Sequence, residues 1–287
     1  MKDYLSLVKF SHTIFALPFA LLGFFLGVKW YGDELTWMTL VKVVACMVFA
    51  RNAAMAFNRY VDRDIDALNP RTNQREIPAG VISSRRARTF IIVNCLLFIV
   101  TTYFINPLCF YLSPVALAVV LGYSYTKHYT ALCHLILGLG LALAPVGAYL
   151  AVSGAFHWIP IIYGLVVLTW VSGFDIIYAL QDIDFDKGQN LRSLPVRFGQ
   201  QGALHISTAL HVCCALLMIL AGWLAQQDYS ALSILHWIGA LLFIALLVYQ
   251  HLLVKPGRLD KVNLAFFTTN GIGSLVFCLF FIVDLLW

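Results

Sequence analysis

Nine times along this chain an apolar run of membrane-crossing length recurs, each bounded by Gly, Pro or charged residues: 10–29, 37–58, 88–105, 108–126, 131–152, 158–181, 202–224, 231–253 and 263–286. A hydrocarbon layer of about 30 Å needs roughly 20 residues of helix to span it. Inside it the backbone must satisfy its own hydrogen bonds, so the runs can fold only as helices. A soluble domain is excluded, since 61% of the residues are hydrophobic, 11% are charged and the mean hydropathy is +0.83. The expected fold is an all-α polytopic membrane protein with nine transmembrane helices around a central cavity. The first run is too long, and too closely followed by the next, for a cleaved signal peptide, and reads as a mature helix.

Positive charge assigns the sides. Seventeen of the nineteen Lys and Arg fall with the N-terminal end or around the connections after runs two, four, six and eight, leaving Lys29 and Lys42. The positive-inside rule makes that side cytoplasmic, with the N-terminus inside and the C-terminus outside, in an inner (cytoplasmic) membrane. Topology thus accounts for the net charge of +5, without a nucleic-acid partner. The seven cysteines are scattered through apolar segments with no metal-binding spacing and read as buried thiols.

With charges so scarce, their grouping is informative. Asn58, Asp62 and Asp66 follow the second run at i, i+4 and i+8, and in a continuous helix they fall within an arc of roughly 80°. Asp64 points about 200° away from Asp62 and reads as a solvated or ion-paired neighbour. A second cluster, Asp182-Ile183-Asp184-Phe185-Asp186, closes the sixth run, with Asp182 and Asp186 one turn apart. Both clusters belong to the cytoplasmic side, which places the active site there. Their recurrence four helices apart suggests a single domain, 1–287, of two related halves, about 1–127 and 128–287.

Carboxylates with an asparagine are hard oxygen ligands suited to Mg²⁺, which retains waters and accepts oxygens from a substrate phosphate. They offer nothing soft for zinc or copper. Two such faces around one cavity suit metal-assisted departure of a diphosphate. Asp175 lies seven residues before Asp182, about 20° from the same face, inside an apolar run where an ionisable group is functional by default. Tyr123 and Lys127 share a face at the end of the fourth run. Lys127 can meet a diphosphate oxygen and the Tyr123 ring a developing positive charge, or the two can be an interfacial Tyr and a snorkelling Lys. Arg71, Arg75, Arg192 and Arg197 either pair with phosphate or follow the charge bias alone. The segments after runs two and six, each about twenty residues or more, are expected to cap the cavity as long loops. His128 and His12 lie near the active end, Ser11, His12 and Thr13 open the first run, and Pro18 is expected to kink it.

These residues carry a resemblance. The segments Asn58-xxx-Asp62-xxx-Asp66, Tyr123-xxx-Lys127, Tyr178-Ala179-Leu180-Gln181-Asp182-xxx-Asp186 and Arg71-Thr72-Asn73-Gln74-Arg75-Glu76-Ile77-Pro78-Ala79-Gly80 make the chain resemble the UbiA-type intramembrane prenyltransferases. The opening Lys9-Phe10-Ser11-His12-Thr13-Ile14-Phe15-Ala16-Leu17-Pro18 is similar to the 4-hydroxybenzoate polyprenyltransferase branch. The resemblance implies that Asn58, Asp62, Asp66, Asp182 and Asp186 bind Mg²⁺ and the diphosphate of a polyprenyl donor, that Lys127 and Tyr123 assist ionisation, and that an aromatic acid attacks the allylic cation in ubiquinone or menaquinone biosynthesis. Members that use 4-hydroxybenzoate often carry Arg directly after the YxxxK lysine, where His128 stands here. An imidazole grips a carboxylate less firmly than a guanidinium, which leaves the acceptor acid open. Asp175, His128 and a bound phosphate are candidate bases. Phe15, Phe19, Phe49 and Phe57 can guide an isoprenoid tail, in contact with membrane lipid. The competing readings are a glycerol-phosphate lipid or porphyrin acceptor, and, from another class, a cation-coupled transporter.

Overall fold

The computed structural model describes residues 2–8, 15–31 and 37–287, and among them the chain is helical, with one isolated bridge between Lys255 and Arg258. A short helix α1 (Lys2–Leu7) precedes α2 (Leu17–Tyr31), α3 (Trp37–Val61) and the single-turn extension α4 (Arg63–Leu68). Next come α5 (Ser84–Tyr103), α6 (Pro107–Tyr129), α7 (Cys133–Ser153), α8 (Trp158–Ala179) and its extension α9 (Ile183–Gly188). The chain closes with α10 (Leu194–Asp228), α11 (Leu235–Leu253) and α12 (Thr269–Leu286), the last preceded by a wider turn over Leu264–Thr268. Eight of these helices are long and apolar enough to cross a membrane, and Leu17–Trp30 is a shorter apolar ninth. The nine-run reading of the sequence matches this arrangement.

Local chemistry sets the boundaries. Ser83, Asn106 and Ser193 stand before α5, α6 and α10 and accept backbone N–H groups three residues on, with Pro107 in the first turn of α6. His157 caps α8 from two residues away, its Nδ1 accepting from Ile159 N at 3.4 Å. Gly154 ends α7 with φ +63°, where a side chain would be strained.

Three expectations change. Pro18 occupies the first turn of α2 instead of kinking its interior, while Ser11, His12 and Thr13 lie outside the described residues. The region after the sixth run is α9 followed by a five-residue connection, not a long loop, because the acidic segment continues as helix. Finally, α10 begins at Leu194, earlier than the apolar run, and breaks at Gly199, whose φ of +69° and ψ of 178° are non-helical.

Packing is uneven, and that unevenness makes the cavity. α8 packs against both α7 and α10, and the largest core cluster joins Phe19 of α2, Trp170 of α8, Phe243 of α11 and Phe277 and Phe281 of α12. The Trp170 ring stands 5.5 Å from that of Phe19 and 5.4 Å from that of Phe243, at tilted and edge-on angles. α2 closes on α7 so tightly that a Cβ at Gly23 would come within 2.0 Å of the Pro145 carbonyl oxygen. α3, α5 and α6 form a looser group on the other side. Between that group and α7–α8 lies a cavity of about 1200 Å³. Val43, Leu112, Leu141 and Ala144 line its apolar reach, and acids and bases line one end.

Candidate active site

The first carboxylate face survives a break in the helix. α3 ends at Val61 and α4 starts at Arg63, yet Asp62 N donates to Asn58 O at 3.0 Å and Asp66 N to Asp62 O at 2.7 Å. The i to i+4 register therefore runs through the junction, and Asn58, Asp62 and Asp66 all line the cavity. Asp64 is exposed and sits 3.2 Å from Arg63, as its rotation about the helix requires. The second face is built the same way: a 3₁₀ turn, Leu180–Asp182, joins α8 to α9, and Asp182 and Asp186 line the same cavity while Asp184 is exposed.

Basic side chains stitch the two faces together. Lys127 Nζ, at the end of α6, is 2.6 Å from Asp62 Oδ2, which also accepts from Asn58 Nδ2 at 3.1 Å. Arg75 Nη1 donates to both oxygens of Asp66, at 2.7 and 2.8 Å. Arg71 crosses from the loop after α4 to the other face, where Nε donates to Asp182 Oδ1 at 2.9 Å and Nη2 to Oδ2. Its Nη1 donates to the Tyr178 hydroxyl at 3.1 Å, and the guanidinium lies 5.4 Å from the centre of that ring. Burial pushes the Asp62 carboxyl up from the ordinary carboxylate range, with Lys127 opposing the shift.

The donor set fits Mg²⁺. Among the described residues no three His, Cys, Asp or Glu side chains converge as a ready-made metal cage. Mg²⁺ does not need one, since it is commonly held by one or two carboxylates plus water and substrate phosphate. Among the described residues Asp62 Oδ1 is buried without a hydrogen-bond partner, a costly position for a carboxylate oxygen unless a cation or donor meets it.

The remaining expected residues separate into two groups. Tyr123 and Asp175 line the cavity with Arg71, Arg75 and Lys127. His128 and Arg192 are not among the lining residues. Arg192 instead ties down the end of α6: its Nη1 donates to Tyr129 O at 2.8 Å and its backbone N–H to Lys127 O at 2.7 Å. Of the aromatics, Phe15 lines the cavity and meets Phe174 at a tilt and Phe266 edge-on, while Phe19 is not a lining residue and lies in the core.

Two residues in the wall escape a reading by sequence. His134 meets Asp175, Nδ1 to Oδ2 at 2.7 Å. Arg59 is 5% exposed, and its Nε and Nη1 have no hydrogen-bond partner among the described residues. The need of an intramembrane aspartate for a partner is a signal for His134, but the sequence does not say which histidine answers it. Nothing in the sequence distinguishes Arg59 from the other arginines around the acidic segments.

A profile of the UbiA prenyltransferase family matches residues 16–272. The chain is 30% identical over 240 residues to a 4-hydroxybenzoate octaprenyltransferase of Tolumonas auensis, covering 83% of this chain and 82% of the relative. It is 31% identical over 238 residues to the enzyme of that name from Alkalilimnicola ehrlichii, covering 83% and 79%. Among solved structures, the apo form of a UbiA homolog from Aeropyrum pernix K1 superimposes with a TM-score of 0.84 at 31% identity, covering 95% of this chain and 98% of that one. A UbiA homolog from Archaeoglobus fulgidus, solved with DMAPP and Mg²⁺, shares the fold with a TM-score of 0.77 at 23% identity and 99% coverage of both chains. This chain belongs to the UbiA prenyltransferase family and is a multi-pass membrane prenyltransferase.

Proposed function

We propose that the protein transfers a polyprenyl group from its diphosphate to a hydroxylated aromatic acid, 4-hydroxybenzoate or a related quinone precursor, with Mg²⁺ at the carboxylates. The observation that carries this reading is the convergence of Asp62, Asp66, Asp182 and Asp186 with Lys127 and Arg71 at the polar end of one largely apolar cavity. The names of the bacterial relatives support the acceptor class, and the Archaeoglobus fulgidus homolog's Mg²⁺ and DMAPP support the metal and the donor. Family membership disfavours the transporter reading, and the relatives' names disfavour lipid and porphyrin acceptors.

Asn58, Asp62, Asp66, Asp182 and Asp186 are the residues that would hold Mg²⁺. Bound there, the ion neutralises diphosphate charge and so makes it a better leaving group. Lys127 supplies a further positive charge for the departing oxygens, and Arg71 and Arg75, which pair with Asp182 and Asp66, add charge from the capping loop. The Tyr123 ring favours the allylic carbon as it becomes positive. Phe15, Val43, Leu112, Leu141 and Ala144 exclude water from the tail side, where an allylic cation would otherwise be captured as an alcohol. A ring carbon ortho to the acceptor hydroxyl then forms the new bond.

The two acid faces come one from each of the segments 1–127 and 128–287, which supports a single domain of two related halves. The charge bias supports an inner-membrane orientation with the active end and N-terminus in the cytoplasm and the C-terminus outside. The test is product analysis: purified protein with Mg²⁺, one polyprenyl diphosphate and a panel of hydroxylated aromatic acids should yield a prenylated acid by mass spectrometry. Release of diphosphate with no prenylated acid in any reaction would reject the acceptor class.

A further inference from the structure

On the same cavity wall as the acid faces, α7 and α8 bring together a further pair of ionisable groups. His134 Nδ1 is 2.7 Å from Asp175 Oδ2, and both residues line the cavity. The imidazole is almost wholly covered, with 4% of its side chain exposed against 23% for Asp175. Asp175 therefore presents its carboxylate to the cavity with His134 behind it. Asp175 Oδ1 makes no hydrogen bond among the described residues, whereas Oδ2 is occupied by the imidazole. The imidazole is held by its backbone: the His134 carbonyl accepts from Ser172 Oγ at 3.1 Å, tying α7 to α8. One turn on, a Cβ at Gly138 would come within 2.5 Å of the Leu168 carbonyl oxygen, so the two helices are as close here as their backbones allow. This pair has no part in holding diphosphate as described above.

We propose that Asp175 accepts the phenolic proton of the aromatic acceptor and that His134 is its positioning residue. The assignment rests on the aromatic-acid reading above. The acceptor O–H bond breaks and its proton bonds to Asp175 Oδ1. The freed electron pair moves through the ring to the ortho carbon, which bonds to the allylic carbon once the C–O bond has broken and its pair has left on the diphosphate. The ring ketone so formed becomes a phenol again when its ring C–H proton leaves with the diphosphate and Asp175 returns the first proton to oxygen. The carboxylate is thereby restored without an outside reactant. His134 serves by donating its Nδ1–H to Oδ2, which stabilises an ionised carboxylate in an apolar wall and keeps Oδ1 turned to the acceptor.

The test compares acceptors that differ in phenol acidity. kcat/KM is measured for 4-hydroxybenzoate and for the more acidic 3-chloro-4-hydroxybenzoate, in wild type and in the Asp175→Asn, His134→Ala and His134→Gln proteins, together with the KM for polyprenyl diphosphate. Asp175→Asn and His134→Ala should lose about 10²-fold or more on 4-hydroxybenzoate. The loss should be at least about tenfold smaller on the chloro acid, whose proton leaves more readily, and the donor KM should hold steady. His134→Gln, which keeps an N–H donor, should retain more activity than His134→Ala. Equal losses on the two acids, or a donor KM that rises in step with the loss, would overturn the proposal, because a structural defect does not sense phenol acidity. If wild type prenylates neither these two nor any other acid of the hydroxylated aromatic panel while releasing diphosphate, the aromatic-acid reading itself fails and the proton assignment falls with it.

Discussion

Lys127 Nζ lies 2.6 Å from Asp62 Oδ2, joining the end of α6 to the end of α3 across 65 residues of chain. The carboxylate side chain is 4% exposed and the lysine 28%, so the pair is anchored in the wall and open on its cationic side. That asymmetry leaves the ammonium open to a second anion, as the proposed function requires, while it pairs with the aspartate.

Removing the lysine should therefore separate two effects. Lys127→Met leaves Asp62 buried without its cation, which lowers thermal stability. It should also reduce Mg²⁺-dependent prenyl transfer by about 10²- to 10³-fold. Adding Asp62→Asn should restore the melting temperature, since no unpaired carboxylate remains, but not the activity. Recovery of activity in the double variant would rule out a role for Lys127 beyond pairing with Asp62.

The acids divide by the direction they face. Asp62→Asn and Asp182→Asn should each lower diphosphate release by about 10²-fold or more, and chelation of Mg²⁺ should do the same to wild type. Asp64→Asn and Asp184→Asn, at exposed positions, should leave the rate within about twofold. A phosphate-release assay on all four proteins decides it, and equal sensitivity at facing and exposed positions would contradict the site.

The α2–α7 contact should tolerate no side chain at Gly23. Gly23→Ala forces apart the backbones at Pro145, at a cost of about 1–3 kcal/mol. Thermal unfolding in detergent micelles should show a lowered midpoint, whereas Gly147→Ala, where nothing stands within 4 Å of the added Cβ, should not.

His157 gives stability a pH dependence of definite sign. Burial holds its imidazole below the ordinary histidine value, with the Asp228 carboxylate 3.8 Å away opposing the shift. The neutral ring accepts from Ile159 N through Nδ1, and a protonated ring cannot. Because the folded pKa is the lower one, this contribution is present above the unfolded value of about 6.5 and is lost as pH falls through the folded one. Wild type should thus lose more stability than His157→Asn on acidification below about pH 6.5, by up to about 1 kcal/mol for the cap. Parallel melting curves for the two proteins would remove His157 as the cause.

Much of this site is legible in the linear order of residues. The spacing of Asn58, Asp62 and Asp66 puts them on one face because i+4 steps survive even the break at the α3–α4 junction, where the hydrogen bonds from Asp62 and Asp66 continue. The rotation of Asp64 and Asp184 away from the cavity follows from the same geometry. Arg192 was less readable: a cation in a capping segment can meet a phosphate or a helix carbonyl, and only the path of the chain brings it to Tyr129 O.

The order of residues is enough to place the apolar helices of membrane-crossing length, because in lipid the polar backbone of each run must close its own hydrogen bonds. It also determined which carboxylates share a face, since helical periodicity is local. Only the folded bundle brings Arg71 to Asp182, backs Asp175 with His134, and buries Arg59 in the cavity wall with its Nε and Nη1 lacking a hydrogen-bond partner among the described residues. Those pairings depend on how far one helix is turned and pushed against another, a balance of many small contacts distributed over the bundle that no short stretch of chain encodes.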